Sequence, residues 1–485
     1  MTYARNRLLW TFFALITIVL GTYVAIRFAQ GYRPSSVNLV AGNGLLVANS
    51  EPKGARVLVN GRFLAATDET LYLDPGEYEV QIQRDGYFTW SKNLRLEQEV
   101  VTQANAQLFP TAPGLTPLTL SGAEKPVPSP DGQKLAYYTA SSSAETKNGY
   151  YINELVDNQL AFQRGPRQVL AATSLFPIED SRMVWSPDST QILLISPQKS
   201  VLLDPTKLSQ ADELTDVTFQ LPLIFSQWEE EMYQRDRERL AKFPVEIQQI
   251  ATASAVNVYF SPDEKRLMYT ASEEFTLPEN ILPSKPGSST QTQARTTEIG
   301  SIYIYDRDED RQFKLGLDNQ YVAWLDANPE PAESTLLPTP APNRQITSPA
   351  NEPADSDEPT YNPQKRLLSR DLFRRQPLTL EASPSAFTKL QRDNVEDTVI
   401  NFLTYHSPLF THKYQWFPNS WHVISHNGEG ITIQEADGTN IFRIYSGPFD
   451  STFTYPWPNG SRLIIRTNFN QGDMVPINLY TINLK

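Results

Sequence analysis

Val258-Tyr259-Phe260-Ser261-Pro262-Asp263-Glu264-Lys265-Arg266-Leu267-Met268-Tyr269-Thr270 decides the fold. An apolar approach ends at Ser261-Pro262-Asp263, and a second apolar run leaves it. Pro262 presets the φ that a turn needs, and the Asp263 carboxylate can accept from backbone donors just ahead. The flanking β-branched and aromatic residues suit a pleated, half-buried surface. The unit returns as Pro128-Ser129-Pro130-Asp131-Gly132 before Leu135-Ala136-Tyr137-Tyr138, and as Trp185-Ser186-Pro187-Asp188 before Ile192-Leu193-Leu194-Ile195. Looser copies are Trp416-Phe417-Pro418-Asn419 before Val423, and Trp457-Pro458-Asn459-Gly460 before Leu463. One copy predicts a hairpin. Recurrence along most of a chain predicts a repeat architecture, here an all-β fold dominated by a β-propeller.

Five clear copies and a worn one begun by Tyr321-Val322-Ala323-Trp324-Leu325 predict about six four-stranded blades over residues 115–485. Third strands are expected over Tyr150 to Val156, Ser301 to Asp306, Gly430 to Gln434 and Asn478 to Ile482. The last lies close to Lys485, so the final blade is one strand short. Leu115 to Leu120, with Leu118 and Leu120 at period two, is expected to supply that strand and cover the open sheet edge. Three insertions interrupt the blades. Residues 226–243 read as a helix, with Glu229-Glu230-Glu231 early and Arg235, Arg237, Arg239 and Lys242 late, an order that complements the helix macrodipole. Trp228, Met232, Leu240 and Phe243 are its candidates for packing over a blade or a loop. Residues 278–297 read as a flexible loop, and the Pro-rich acidic stretch 328–364 as disordered, because it holds little that could form a core.

Residues 45–109 form a second, smaller all-β unit, in which Asn60-Gly61 signals a type I′ hairpin. The run Glu51-Pro52-Lys53-Gly54-Ala55, then Val57-Leu58-Val59-Asn60-Gly61, Asp74-Pro75-Gly76-Glu77-Tyr78 and Gly86-Tyr87, resembles the PEGA domain, with Lys53 where that family's name-giving tetrapeptide has Glu. The resemblance implies a small β-sandwich that recurs in bacterial surface and envelope proteins. The Ser-Pro-Asp hairpins in turn resemble TolB-type propellers. Taken together, the chain resembles an uncharacterised bacterial envelope family of membrane-anchored proteins that couple a PEGA domain to a TolB-type propeller.

Leu8 to Ile26 carries no charge and is flanked by Arg5 and Arg7 before it and Arg27 and Arg33 after it. Roughly 20 apolar residues cross a bilayer core, so residues 1–33 are expected to be a cytoplasmic tip and a transmembrane helix. A cleavable signal peptide shares the basic start and the apolar run. Arg27 would occupy the −3 position of the cleavage site, where a small residue is needed, so an uncleaved anchor is preferred. The expectation is a single pass, N-terminus inside and bulk extracytoplasmic, in a cytoplasmic or outer membrane bilayer.

Composition narrows the chemistry. A net charge of −13 argues against nucleic acid and anionic lipid surfaces as partners. The absence of cysteine removes disulfides, thiol nucleophiles and thiolate metal sites. The sequence holds no Gly-x-Ser-x-Gly elbow, no Gly-x-x-x-x-Gly-Lys phosphate loop and no His-Glu-x-x-His helix. Asp131, Asp188 and Asp263 sit at equivalent turns of different blades and are read as turn formers, not as catalytic carboxylates. His406, His412, His422 and His426 cluster in sequence, but metal binding needs convergence on one ion, so no metal or cofactor is assigned. Trp185, Trp416 and Trp457 are read as blade core. The function expected is non-enzymatic: a membrane-anchored interaction or scaffold protein presenting its propeller to a protein or cell-envelope polysaccharide partner. A carbohydrate-binding envelope protein is the alternative, and a hydrolase or lyase with a site in the propeller channel the third.

Overall fold

The computed structural model describes residues 2–29, 43–140, 142–156, 165–283, 285, 289, 291–327, 414–426, 428–469 and 476–485. The stretch 328–364, expected to be disordered, lies outside them, as do His406 and His412. Helix α1 spans Thr2–Ala29, and Trp10, Phe13, Leu20 and Ile26 stand exposed along it. Among the described residues no helix is long and apolar enough to cross a membrane. The helix expected over Leu8 to Ile26 forms within α1, while a membrane crossing by it is not supported among the described residues.

Seven strands then build a sandwich: β1 (Gly44–Glu51), β2 (Arg56–Val59), β3 (Arg62–Ala66), β4 (Glu69–Leu73), β5 (Gly76–Gln83), β6 (Trp90–Leu96) and β7 (Val101–Gln107). One sheet has the order β4-β1-β7, the other β3-β2-β5-β6. Alternate residues Leu46, Ala48, Val57, Val80, Ile82 and Ala104 meet between the sheets, fully buried, as period-two patterning requires. Asn60 and Gly61 take φ of 50° and 75°, the turn that their types favour between β2 and β3. β7 pairs in parallel with β1, from Leu45 opposite Val101 to Glu51 opposite Gln107, and is an edge of its sheet.

Among the described residues five further sheets follow, the first four built from consecutive strands, and four of the five four-stranded. The first blade comprises Glu124–Pro128, Lys134–Thr139, Gly149–Glu154 and Arg167–Ala171, and the second Arg182–Trp185, Ile192–Ile195 and Ser200–Leu203. In the second blade the fourth position is reduced to a single bridge between Val201 and Asp216. The third comprises Ala255–Phe260, Arg266–Ala271, Ser301–Asp306 and Arg311–Leu317; the fourth Tyr414–Trp416, His422–His426, Ile431–Glu435 and Phe442–Tyr445. The fifth holds Thr454–Pro456, Arg462–Thr467 and Asn478–Asn483, and is completed by β8 (Leu115–Pro117), with Tyr480 opposite Pro117 and Ile482 opposite Leu115. Closure from the N-terminal side is thus observed, although by three residues, with Leu120 left exposed beyond them.

The five hairpin turns share one geometry. Their fourth residues, Gly132, Ser189, Glu264, Ser420 and Gly460, all take positive φ between 57° and 72°. In each, that residue's N–H donates to the carbonyl three residues back, at 2.7–3.0 Å. Ser129, Ser186 and Ser261 donate their hydroxyls to Asp131, Asp188 and Asp263. The same serine oxygens accept from the N–H five residues on, each at 2.9 Å. The aspartates are therefore turn formers on separate blades, and Asp188 is held below the usual carboxylate range by Ser186 and Thr190, against a burial effect that pulls the other way.

Neighbouring turns are linked. The Asp131 N–H donates to Ser189 Oγ at 3.0 Å, and the Asp263 N–H to Ser420 Oγ at 2.9 Å. Lys134 and Arg266 donate to the carbonyls of the same two serines. Apolar clusters join the first blade to the second, the third to the fourth, the fourth to the fifth and the fifth to the first. Helix α2 (Leu221–Leu240), longer at its start than expected, links the second blade to the third. Leu221, Ile224, Phe225 and Trp228 pack on Val184 and Leu193, while Leu240 and Phe243 join the third blade's core with Tyr269 and Tyr303. Helix α3 (Val245–Gln249) follows it into that core.

The reading of Tyr321 to Leu325 as the start of a further blade is corrected. That apolar run lies in helix α4 (Asn319–Ala327), because Asp318 caps it, accepting from the Tyr321 N–H at 3.1 Å. The loop expected to be flexible is tied where it is described: Arg295 bonds the Pro278 carbonyl at 2.6 Å and pairs with Asp310 at 3.0 Å.

Candidate binding cleft between the sandwich and the propeller

The sandwich is seated on the fourth and fifth blades by β6 and the residues around it. Phe88 stacks on Phe442 with ring centroids 5.0 Å apart, and Phe109 meets Phe417 and His422 edge-on at 5.9 and 5.3 Å. Trp90 Nε1 donates to Glu435 Oε1. Lys92 lies between two carboxylates, bonding Asp437 at 2.5 Å and also Glu435. Burial works against the Lys92 charge, but the two anions outweigh it and hold the ammonium's pKa above its ordinary value. The Ser91 N–H donates to Asn440 Oδ1 at 2.9 Å, and Lys485 pairs with Glu51 at 2.8 Å.

Beside this contact opens a cleft of about 1140 Å³, walled by β1, β6 and β7 on one side and by the third and fourth blades on the other. Arg266 belongs to its blade wall. Its guanidinium pairs with Asp306 at 2.7 Å and lies 3.6 Å from the centroid of Trp421, the exposed aromatic of that wall. Glu309 is half-buried there, accepts from the Ser289 N–H at 3.0 Å, and has no ion-pair partner among the described residues. Burial, with Asp306 nearby, raises its carboxyl above the usual range. His422 lies at the base of the cleft with Nδ1 2.9 Å from Asn419 Nδ2, while its Nε2 has no partner among the described residues. Burial lowers its pKa to about 3, with the Lys92 charge acting in the same sense.

The residues singled out in the sequence are scattered. His426 lies at the end of the strand that His422 begins, edge-on to Phe449. Among the described residues no group of three His, Asp or Glu side chains could hold a metal ion. Trp185, Trp416 and Trp457 are buried, as blade packing requires. The residues that do converge, Lys92, Arg266, Glu309, Glu435 and Asp437, carry no local motif. The one available signal was Lys92 beside Trp90 on a strand whose inward positions should all be apolar.

The PEGA domain matches residues 43–112, which are the sandwich. No curated protein matches the chain. Among solved structures, it is similar to a TolB-type structure from Agrobacterium tumefaciens at 11% identity, covering 76% of this chain and 83% of that one, with a TM-score of 0.21. TolB from Acinetobacter baumannii follows at 9% identity, 85% and 61% coverage and a TM-score of 0.19, so the chain spans about three fifths of that protein. Hydrazine synthase from Kuenenia stuttgartiensis is matched at 9% identity, 93% and 98% coverage and a TM-score of 0.17. Likeness at these scores carries no argument, and the five blades seen among the described residues rest on their own strand pairing.

Proposed function

We propose that the protein is a membrane-tethered, extracytoplasmic binding protein without catalytic activity, in which the sandwich and the propeller together offer the cleft between them to a protein partner. The observation that carries this reading is the seating of Lys92 between Glu435 and Asp437, beside the Trp90 bond. Two domains locked in this way give the cleft walls a set shape, and preorganised walls lower the ordering cost of binding. Tethering is supported by the uncharged run from Leu8 to Ile26 and its flanking arginines. The PEGA match supports an envelope location, since the resemblance places that domain among bacterial surface proteins.

The cleft favours protein over the two other readings. Arg266 and Asp306 satisfy each other, as do Lys92 and its two carboxylates, so these groups are committed to structure and not poised for proton transfer. A sugar platform needs an open aromatic face, whereas Trp421 has the Arg266 guanidinium over its ring. A photo-crosslinking amino acid placed at Trp421 in the native cell tests the reading. A discrete protein adduct is expected, and adducts to polysaccharide alone would overturn it. Protease added to intact cells tests the orientation: the propeller should be digested without permeabilisation.

A further inference from the structure

We infer that the outer edge of β7 is a strand-addition site for an extended peptide carrying a lysine or arginine, an inference that rests on the cleft being where a protein partner docks. Val100 O accepts from the Leu45 N–H at 3.0 Å, and the Leu108 N–H donates to Glu51 O at 2.8 Å. Backbone direction alternates along a strand, so even-numbered residues face β1. Val101, Gln103, Asn105 and Gln107 therefore direct their N–H and C=O groups away from it, and among the described residues none of these groups is bonded. The cleft touches Thr102 and Ala106 as well as the odd-numbered set. A cavity reached by both faces of a strand lies along its edge.

This edge also lacks the protection that edges normally carry. Charges, prolines and bulges keep exposed strands from pairing, yet Val101–Gln107 is Val-Thr-Gln-Ala-Asn-Ala-Gln, without charge or proline. The other edges of the sandwich carry charged residues: Arg62 on β3, Glu69 on β4, and Lys92 and Arg95 on β6. The Thr102 hydroxyl, buried at the cleft, has no partner among the described residues. Charge selects the occupant. Of the anionic side chains lining the cleft, Glu435 and Asp437 share Lys92, Asp306 is paired with Arg266, Asp68 with Lys53 and Glu51 with Lys485. Glu309 alone among them has no direct ion pair among the described residues, with Arg266 and Arg311 acting on it only from a distance, so the peptide is expected to bring a cation into contact with it. Main-chain bonding to β7 supplies affinity and the basic side chain supplies selection.

The test uses the full chain and a fluorescent peptide of about nine residues, long enough at about 3.3 Å per residue to cover β7, alternating Val and Thr around one Lys. Fluorescence anisotropy should show saturable binding. The same peptide N-methylated at alternate residues should bind about tenfold more weakly or not at all, since its edge can no longer donate. A peptide with Glu in place of Lys should also weaken. Gln103→Pro removes an outward N–H and leaves the β1 ladder intact, so this variant should lose about tenfold while keeping its melting temperature. Glu309→Gln should abolish the preference for Lys over Glu. Equal binding of the N-methylated peptide, which needs no protein variant, overturns the proposal, as does no binding of the parent peptide. Binding seen only after residues 328–413 are excised would assign the edge to the chain itself and also overturn it. A protein crosslinked at Trp421 in cells, without peptide binding, leaves the cleft's proposed function standing and removes strand addition alone.

Discussion

Lys92→Met takes the cation out of a site occupied by two anions. The side chains of Lys92, Glu435 and Asp437 are 14%, 10% and 9% exposed, so neither carboxylate can turn to water. Some compensation survives: Trp90 and Asn440 still donate to Glu435, and the Thr439 N–H and hydroxyl still donate to Asp437. Removing one partner of a buried ion pair costs about 3–5 kcal/mol, and the remaining donors argue for the lower end, about 3 kcal/mol. For a small unit such as residues 43–112, 1 kcal/mol shifts melting by roughly 4–8 °C, so the sandwich transition should fall by about 12 °C or more in calorimetry of the full chain. The triple variant Lys92→Met, Glu435→Gln, Asp437→Asn should recover most of the loss, because neutral amides need no cation. The deficit of the single variant should shrink as pH falls. Without Lys92 a buried carboxylate's folded pKa rises above its unfolded value, and the stability from its protonation is present at low pH and lost as pH rises. A single variant that melts with the parent, or a triple variant no better than the single, would refute the reasoning.

His422 predicts a second pH dependence. Its folded pKa near 3 lies below the unfolded value of about 6.5, so the stability it protects is complete above that value and is lost as pH falls toward 3. The loss is about 1.4 kcal/mol per pH unit, or about 2 kcal/mol at pH 5. Urea unfolding of His422→Asn against pH should show a shallower slope over this range; an unchanged slope would count against burial of the neutral ring. Ser420→Ala removes the acceptor of the Asp263 N–H and places alanine at positive φ. It should cost about 1–3 kcal/mol by chemical denaturation, with Ser189→Ala parallel, and no effect would show that the turn-to-turn links are incidental. Deleting Leu115 to Leu120 strips the fifth blade's outer strand, so the variant should aggregate or melt markedly lower in light scattering and calorimetry. A monomer with the parent's melting temperature would mean that β8 does not hold the ring.

The turns were legible because Ser-Pro-Asp encodes its own geometry: the serine, the proline ring and the carboxylate act within six residues. Asn60-Gly61 was legible for the same reason. The run Tyr321 to Leu325 was not, since it fits strand and helix templates alike and only the preceding Asp318 marks a helix start. Nor was the reach of α2: with Leu221, Ile224 and Phe225 inside it, Glu229, Glu230 and Glu231 fall mid-helix and its first turn holds no acidic residue, although Arg237 and Arg239 do stand in its last turn. The cleft escaped sequence reading altogether. Lys92 meets Asp437 across 345 positions, and nothing local to either partner announces the other. The open edge of β7 followed only from knowing which way Val100 and Leu108 point.

That separation orders the life of the chain. Synthesis at about 5–20 residues per second delivers Asp437 roughly 17–70 s after Lys92, given the 345 positions between them. Throughout that interval the sandwich can complete its own sheets but has nothing to sit on, and β8 waits as long for the strand Asn478–Asn483. Docking and ring closure therefore both wait on residues beyond 434. A ribosome that stalls before the fourth blade leaves a finished sandwich with a bare cation, an open edge and an unclosed propeller, the form that quality-control proteases are best placed to remove.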